Sequence, residues 1–127
     1  MYNYSYMATP PSTPPPSASG VTIPGVRIGT CSWKYGSWAG IVYSDEKDIN
    51  FLAEYAQHYN TVEVDQWFWS LFGENKVSLP KRETVEEYAA SVPEDFVFTV
   101  KAPNSITLTH LYKQYTKGKL VENRHFL

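Results

Sequence analysis

The sequence predicts an α/β fold in which short parallel strands alternate with helices, and three observations carry that reading. Apolar runs begin at Val26, Thr61 and Phe96, 35 residues apart each time. A stretch of helical periodicity follows the first two. Each run (VRIGTCSW, TVEVDQWF, FVFTVKAP) is short, rich in β-branched and aromatic residues, and turns polar or aromatic where it ends. Parallel α/β folds place their chemistry at those strand ends. A closed eight-unit barrel takes ~250 residues, so three repeats in 127 residues supply only part of one.

Residues 1–25 hold six of the nine prolines, no charged side chain and almost nothing aliphatic. They are expected to be a disordered Pro/Ser-rich leader, with Met7 an alternative start. Val26–Ser32 is the first strand. The loop WKYGSWAGIVYS follows it, with turns permitted at Gly36 and Gly40. From Asp48 onward, Ile49, Leu52, Ala53, Ala56 and Tyr59 recur at helical spacing, and Asp45 to Asp48 offer capping acids. Thr61–Gln66 is the second strand. Glu83–Ser91 is a second helix with Val85, Tyr88, Ala89 and Val92 on its apolar side, ended by Pro93. Phe96–Lys101 is the third strand, and the remainder, including NSITLTH, shows no clear periodicity, so no third helix is expected there.

A net charge of −2 gives no support for a dedicated nucleic-acid or membrane-surface protein. No run approaches the ~18 apolar residues of a membrane span, and the N-terminus lacks a signal-peptide pattern. Cys31 is the single cysteine, which excludes an intrachain disulfide and a multi-cysteine metal site and fits a reducing, cytoplasmic setting. The aromatic content is high. Trp33, Trp38, Trp67 and Trp69 all fall near strand ends, where rings wall a pocket as readily as they fill a core.

Side chains alternate along a strand, so Val62 and Val64 share the face toward the helices while Thr61, Glu63 and Asp65 share the other. On the third strand Val97, Thr99 and Lys101 take that same second face. Glu63 and Lys101, on neighbouring strands, are expected to pair, because an unpaired buried ion costs several kcal/mol. The functional reading makes Glu63 or Asp65 a general base and Lys101 a clamp or acid; the structural reading makes them an ion pair inside the sheet. His110 lies beyond the third strand on the same side. His58 and His125 read as surface residues, and Cys31 as a small buried hydrophobe. The positive bias of Lys113, Lys117, Lys119 and Arg124 reads as a solvated tail. No phosphate loop, dinucleotide fingerprint, HExxH or GxSxG is present, so the residues name no metal set and no cofactor.

From about Val26 to His110 the chain resembles the DUF72 (YecE-like) family. The resemblance rests on IGTCSWKYGSWAGIVY, where Thr30, Trp33, Tyr35, Trp38 and Gly40 fit the family's first-strand signature, on TVEVDQWFWSLF and on FVFTVKAPNSITLTH. It implies a TIM-type (β/α)8 barrel, with this chain as its N-terminal three βα units, truncated. It also places Glu63, Lys101 and His110 where the family carries the same residue types around its presumed pocket. In the second block many members read Glu, apolar, Asn, Ser, Thr, Phe, Tyr, whereas this chain has Glu63, Val64, Asp65, Gln66, Trp67, Phe68 and Trp69, the mark of a distinct subgroup.

The expectation is therefore a leader over 1–25 and a partial barrel domain over 26–127. The intact protein would bind a small polar or phosphorylated ligand at the barrel mouth between Trp33, Tyr35, Trp38 and Trp67. Glu63, Asp65, Lys101 and His110 would serve acid/base or hydrolytic chemistry, and this piece alone would be inactive. Two competing readings stand beside it. One is a non-catalytic binding module or subunit completed by a C-terminal partner chain; the other is a non-functional truncation product.

Overall fold

The computed structural model describes residues 23–44, 48–73 and 76–127. In chain order its strands are β1 (Thr61–Val64), β2 (Leu71–Phe72), β3 (Lys76–Val77) and β4 (Val97–Val100), and its α-helices are α1 (Phe51–Tyr55), α2 (Arg82–Ala90) and α3 (Asn104–Thr107). The leader expected over 1–25 lies outside the described residues except for its last three, where a turn at Gly25, φ 78°, lets the Val26 amide donate to the Ile23 carbonyl.

β1 and β4 pair in parallel, Thr61 opposite Val97 and Val64 opposite Val100. That is the α/β arrangement the 35-residue spacing predicts. Both strands are shorter than expected: β1 stops at Val64 because Asp65 turns into the helical region, φ −82°, and opens a 3₁₀ turn over Gln66–Phe68. Thr61 and Thr99 add side-chain bonds across the pair, their hydroxyls donating to the Val97 and Val62 carbonyls at 2.7 and 3.2 Å.

The expected first strand, Val26–Ser32, runs beside β1 without forming a ladder. One ladder-like bond is made, from the Glu63 amide to the Thr30 carbonyl at 2.9 Å. Side chains take two further donors. The Ile28 amide bonds Asn60 Oδ1, and the Thr30 amide bonds the Tyr55 hydroxyl, which itself donates to the Thr61 carbonyl. Gly29 passes so close to β1 that an added Cβ would stand 1.9 Å from the Thr61 carbonyl oxygen.

The first helix also starts later than its periodicity suggests. Asp48 has a left-handed backbone, φ 64°, and Asn50 is the cap, its Oδ1 accepting the Leu52 and Ala53 amides at 3.1 Å each. Asp45–Lys47, the other expected capping region, lie outside the described residues. Leu52, Tyr55 and Ala56 from this helix meet Val62 and Val64, each 1% exposed, to form the core with Trp33, Tyr43, Val92 and Phe96. Burying each valine contributes about 1.5–3 kcal/mol. α2 matches the predicted second helix within a residue, but its expected apolar face is only partly covered: Val92 is buried, Tyr88 half-buried, and Val85 is 42% exposed.

Two elements were not expected. β2 and β3 form a short antiparallel hairpin, and the segment after β4 makes α3 instead of a structureless tail. Asn104, with no exposure, joins them: its Oδ1 accepts the Ser70 and Leu71 amides at 2.9 and 2.8 Å. Asn123 ties the C-terminal strand-like stretch back, its Nδ2 donating to the Ser105 and Leu108 carbonyls at 2.7 Å each.

Tyr43 is buried, and its hydroxyl has no hydrogen-bond partner among the described residues. Burial pushes its pKa from 10.0 up to about 12. The folded chain keeps a proton that the unfolded chain releases near pH 10, so stability is unaffected by this group below that pH and falls as the pH rises toward 12. Tyr43→Phe should leave stability at neutral pH unchanged or higher and make the alkaline decline shallower in denaturant titrations. A loss above ~1 kcal/mol at pH 7 would show that the hydroxyl is partnered after all.

Candidate functional site

The backbone bonds fix which residues gather at the C-terminal edge of the sheet. Glu63 N–H to Thr30 O brings residue 31 level with the end of β1, and Lys101 N–H to Val64 O, 3.3 Å, does the same for the end of β4. Cys31, Asp65 and Lys101 therefore emerge from three adjacent parallel segments. The loop after the first segment folds over this edge. Its 3₁₀ turn, Gly36–Trp38, is closed by the Trp38 amide on the Tyr35 carbonyl, and the Trp38 carbonyl then accepts the amides of Ile41, Val42 and Tyr43.

That hook sets the aromatic side chains. Trp38 lies half-buried and parallel to Tyr55, 12° between planes, and Tyr35 leans on Trp38 with centroids 4.7 Å apart. The Tyr35 hydroxyl sits 3.9 Å from Cys31 Sγ. Its pKa is raised, first by the contact with the Cys31 thiol, then by desolvation and by negative charge at Cys31 and Asp65. The phenol is thus held as a proton donor.

Glu63 lies opposite Thr99, half-buried, on the face away from the valines, as the alternation predicts. Asp65 is reached differently, because the chain has already left the strand. The expected Glu63–Lys101 ion pair is absent: among the described residues the salt bridge is Arg82–Glu86, 2.7 Å, on exposed α2. Lys101 is exposed and places its Nζ 4.8 Å over the Phe68 ring instead. Water reaches the lysine, so the charge has no burial cost that a partner must offset.

The remaining expected site residues are spread more widely. Trp33 is 2% exposed, edge-on to Tyr88, and presents no free ring face to a ligand. Trp67 also stacks on Tyr88, 6° between planes at 5.8 Å, half-buried. The His110 Nδ1 hydrogen-bonds Thr109 Oγ1 at 3.0 Å, and its backbone pairs with that of Glu122 in an isolated antiparallel bridge; it hydrogen-bonds none of Glu63, Asp65 and Lys101. Cys31, expected to be a buried hydrophobe, is exposed. Its contact with Tyr35 is the site feature that sequence reasoning missed; four residues apart in CSWKY is the one signal that could have found it. Asn104 was missed too, because nothing in NSITLTH distinguishes a buried bracket from a polar loop.

A shallow concavity of about 460 Å³ lies elsewhere, between the loop residues Gly40–Ser44 and the Glu54, Gln57 and His58 side of α1. Its carboxylate is already engaged, since Glu54 accepts the Ser44 amide and hydroxyl at 2.6 and 2.7 Å. Among the described residues no three His, Cys, Asp or Glu side chains converge as a metal site, and no helix is long and apolar enough to cross a membrane.

No curated protein and no solved structure matches the chain. A family model does, that of the protein of unknown function DUF72, over residues 27–125. The matched span contains the extended segment from Arg27 onward, both strands of the parallel sheet and every residue gathered at its edge, and the chain belongs to the DUF72 family.

Proposed function

We propose that this domain binds a small polar or phosphorylated ligand at the C-terminal edge of its parallel sheet. The observation that carries the reading is that Cys31, Asp65 and Lys101 end three adjacent backbone segments, with the Tyr35 hydroxyl 3.9 Å from Cys31 Sγ. Tyr35, kept neutral, donates to the ligand; Asp65 and Glu63 accept; Lys101 meets an anionic group. Any acid/base or hydrolytic step falls to the two carboxylates, with Trp38 and Trp67 as flanking walls. Trp33 and His110 are left out of this set by where they pack. The reading extends to the fold: the parallel sheet is the opening of a (β/α)8 barrel whose further strands pair with the outer edges of β4 and of segment 26–32. Exposed Val26, Ile28 and Val100 support it. The exposed thiol of the single cysteine suits a reducing, cytoplasmic compartment.

Glu63→Gln and Lys101→Met test the site without disturbing the fold, because neither side chain makes a hydrogen bond among the described residues and methionine can keep the contact with Phe68. The probes are inorganic phosphate, glucose 6-phosphate and glucose, followed by thermal shift of the full chain. At least one is expected to stabilise the parent protein, with affinity about tenfold weaker in the variant that loses its partner group. Equal stabilisation of parent and both variants would overturn the assignment.

A further inference from the structure

The chain's charge is unevenly placed. Residues 101–127 carry five of its 11 Lys and Arg residues but one of its 13 carboxylates, Glu122, although the whole chain has a net charge of −2. None of Lys101, Lys113, Lys117, Lys119 and Arg124 forms an ion pair among the described residues. Such an asymmetry gives the C-terminal segment a positive charge that the chain-wide value conceals.

The structure puts a row of rings beside these cations. Phe68 and Trp69 stand 5.0 Å apart between centroids, Trp69 and Tyr112 6.4 Å, Tyr112 and Tyr115 6.2 Å. Trp69 is 59% exposed. At one end Lys101 lies over Phe68. At the other, Lys113 to Lys119 form a tight turn: the Gly118 amide bonds the Lys113 carbonyl, Lys119 N–H bonds Thr116 O, and the Thr116 hydroxyl bonds the Lys119 carbonyl. Its three lysines are exposed next to Tyr112 and Tyr115.

We propose that this row is a binding surface for single-stranded nucleic acid, the unpaired bases stacking on Trp69 and Tyr112 and the phosphates meeting the lysines at either end. Trp69 is exposed with the half-buried Tyr112 next to it, so neighbouring rings can meet neighbouring bases, and every base offers a π face. A duplex hides those faces. A neutral sugar would use the rings and leave the lysines idle. The surface shares Lys101 with the Glu63 and Asp65 edge but extends away from it, and the variants below leave every residue of that edge intact.

The test is fluorescence anisotropy of a fluorescein-labelled oligothymidylate of about a dozen nucleotides with the full chain at several salt concentrations. Binding should weaken with salt with a log–log slope of about −2 to −3, as expected for three or four phosphate contacts on a single strand. Trp69→Ala should weaken binding about tenfold while leaving the circular dichroism spectrum unchanged. Lys113→Ala with Lys119→Ala should flatten the slope by about one. No binding at low salt, equal competition by duplex DNA or inorganic polyphosphate, or indifference to Trp69→Ala would each overturn the proposal.

Discussion

Asn104→Ala is expected to lower the melting temperature by roughly 10 °C or more. The side chain is wholly buried and its oxygen accepts two backbone amides, those of Ser70 and Leu71. Alanine supplies no acceptor and leaves both donors in a dry site, at about 1–3 kcal/mol each. The damage spreads, because the same bracket seats Ser70 Oγ 2.8 Å from Ser105 Oγ and 3.1 Å from the Ser105 amide. α3 and the segment held by Asn123 should then loosen from β2. Thr107→Ala is the control: it sits on the exposed side of α3 and should cost less than about 0.5 kcal/mol. Calorimetry of the two variants decides the matter, and near-equal melting temperatures would mean that the bracket contributes little.

Gly29→Ala should detach the segment 26–32 from β1. The new Cβ would meet the Thr61 carbonyl oxygen at 1.9 Å, its carbon at 2.7 Å and Thr61 Cγ2 at 2.9 Å. Two of these are strand backbone, bound on the far side to β4, and cannot give way. The exposed segment must move, and with it go Glu63 N–H to Thr30 O, Ile28 N–H to Asn60 and the Arg27 guanidinium bond to the Asp95 carbonyl, 2.9 Å. Overpacking and the lost bonds together cost about 2 kcal/mol or more. Hydrogen exchange should show the Glu63 amide losing protection while the Lys101 amide keeps it. If Glu63 stays protected, the segment is not seated on β1 as described.

The fold was legible where a local pattern had one physical meaning. Val62 and Val64 alternate with polar neighbours and are buried as that alternation requires, and the predicted spacing returns within one residue as the parallel register of Thr61 with Val97. Val26 and Ile28 carried the same pattern, yet 45% and 54% of their surface is exposed, and side chains of Asn60 and Tyr55 satisfy the amides that a neighbouring strand would have paired. Propensity cannot foresee a donor taken by a distant side chain. The hairpin and α3 were illegible for a related reason: their stability lies in Asn104, a contact across more than thirty residues. At the site, strand alternation placed Glu63 correctly, while the Glu63–Lys101 pair assumed a dry interior that the exposed Lys101 does not meet. The Cys31–Tyr35 contact depends on the 3₁₀ hook, which no strand or helix period encodes.

The central claim is that the ends of three parallel segments form one ligand-binding edge, and residue-resolved amide shifts test it most directly. In a titration of ¹⁵N-labelled full chain with inorganic phosphate, glucose 6-phosphate and glucose, the amides of Cys31, Tyr35, Asp65 and Lys101 should shift together along one saturating curve, and those of α2 should stay still. Saturable shifts confined to α2 or to the concavity beside α1, or no saturable shift with any of the three probes, would contradict it.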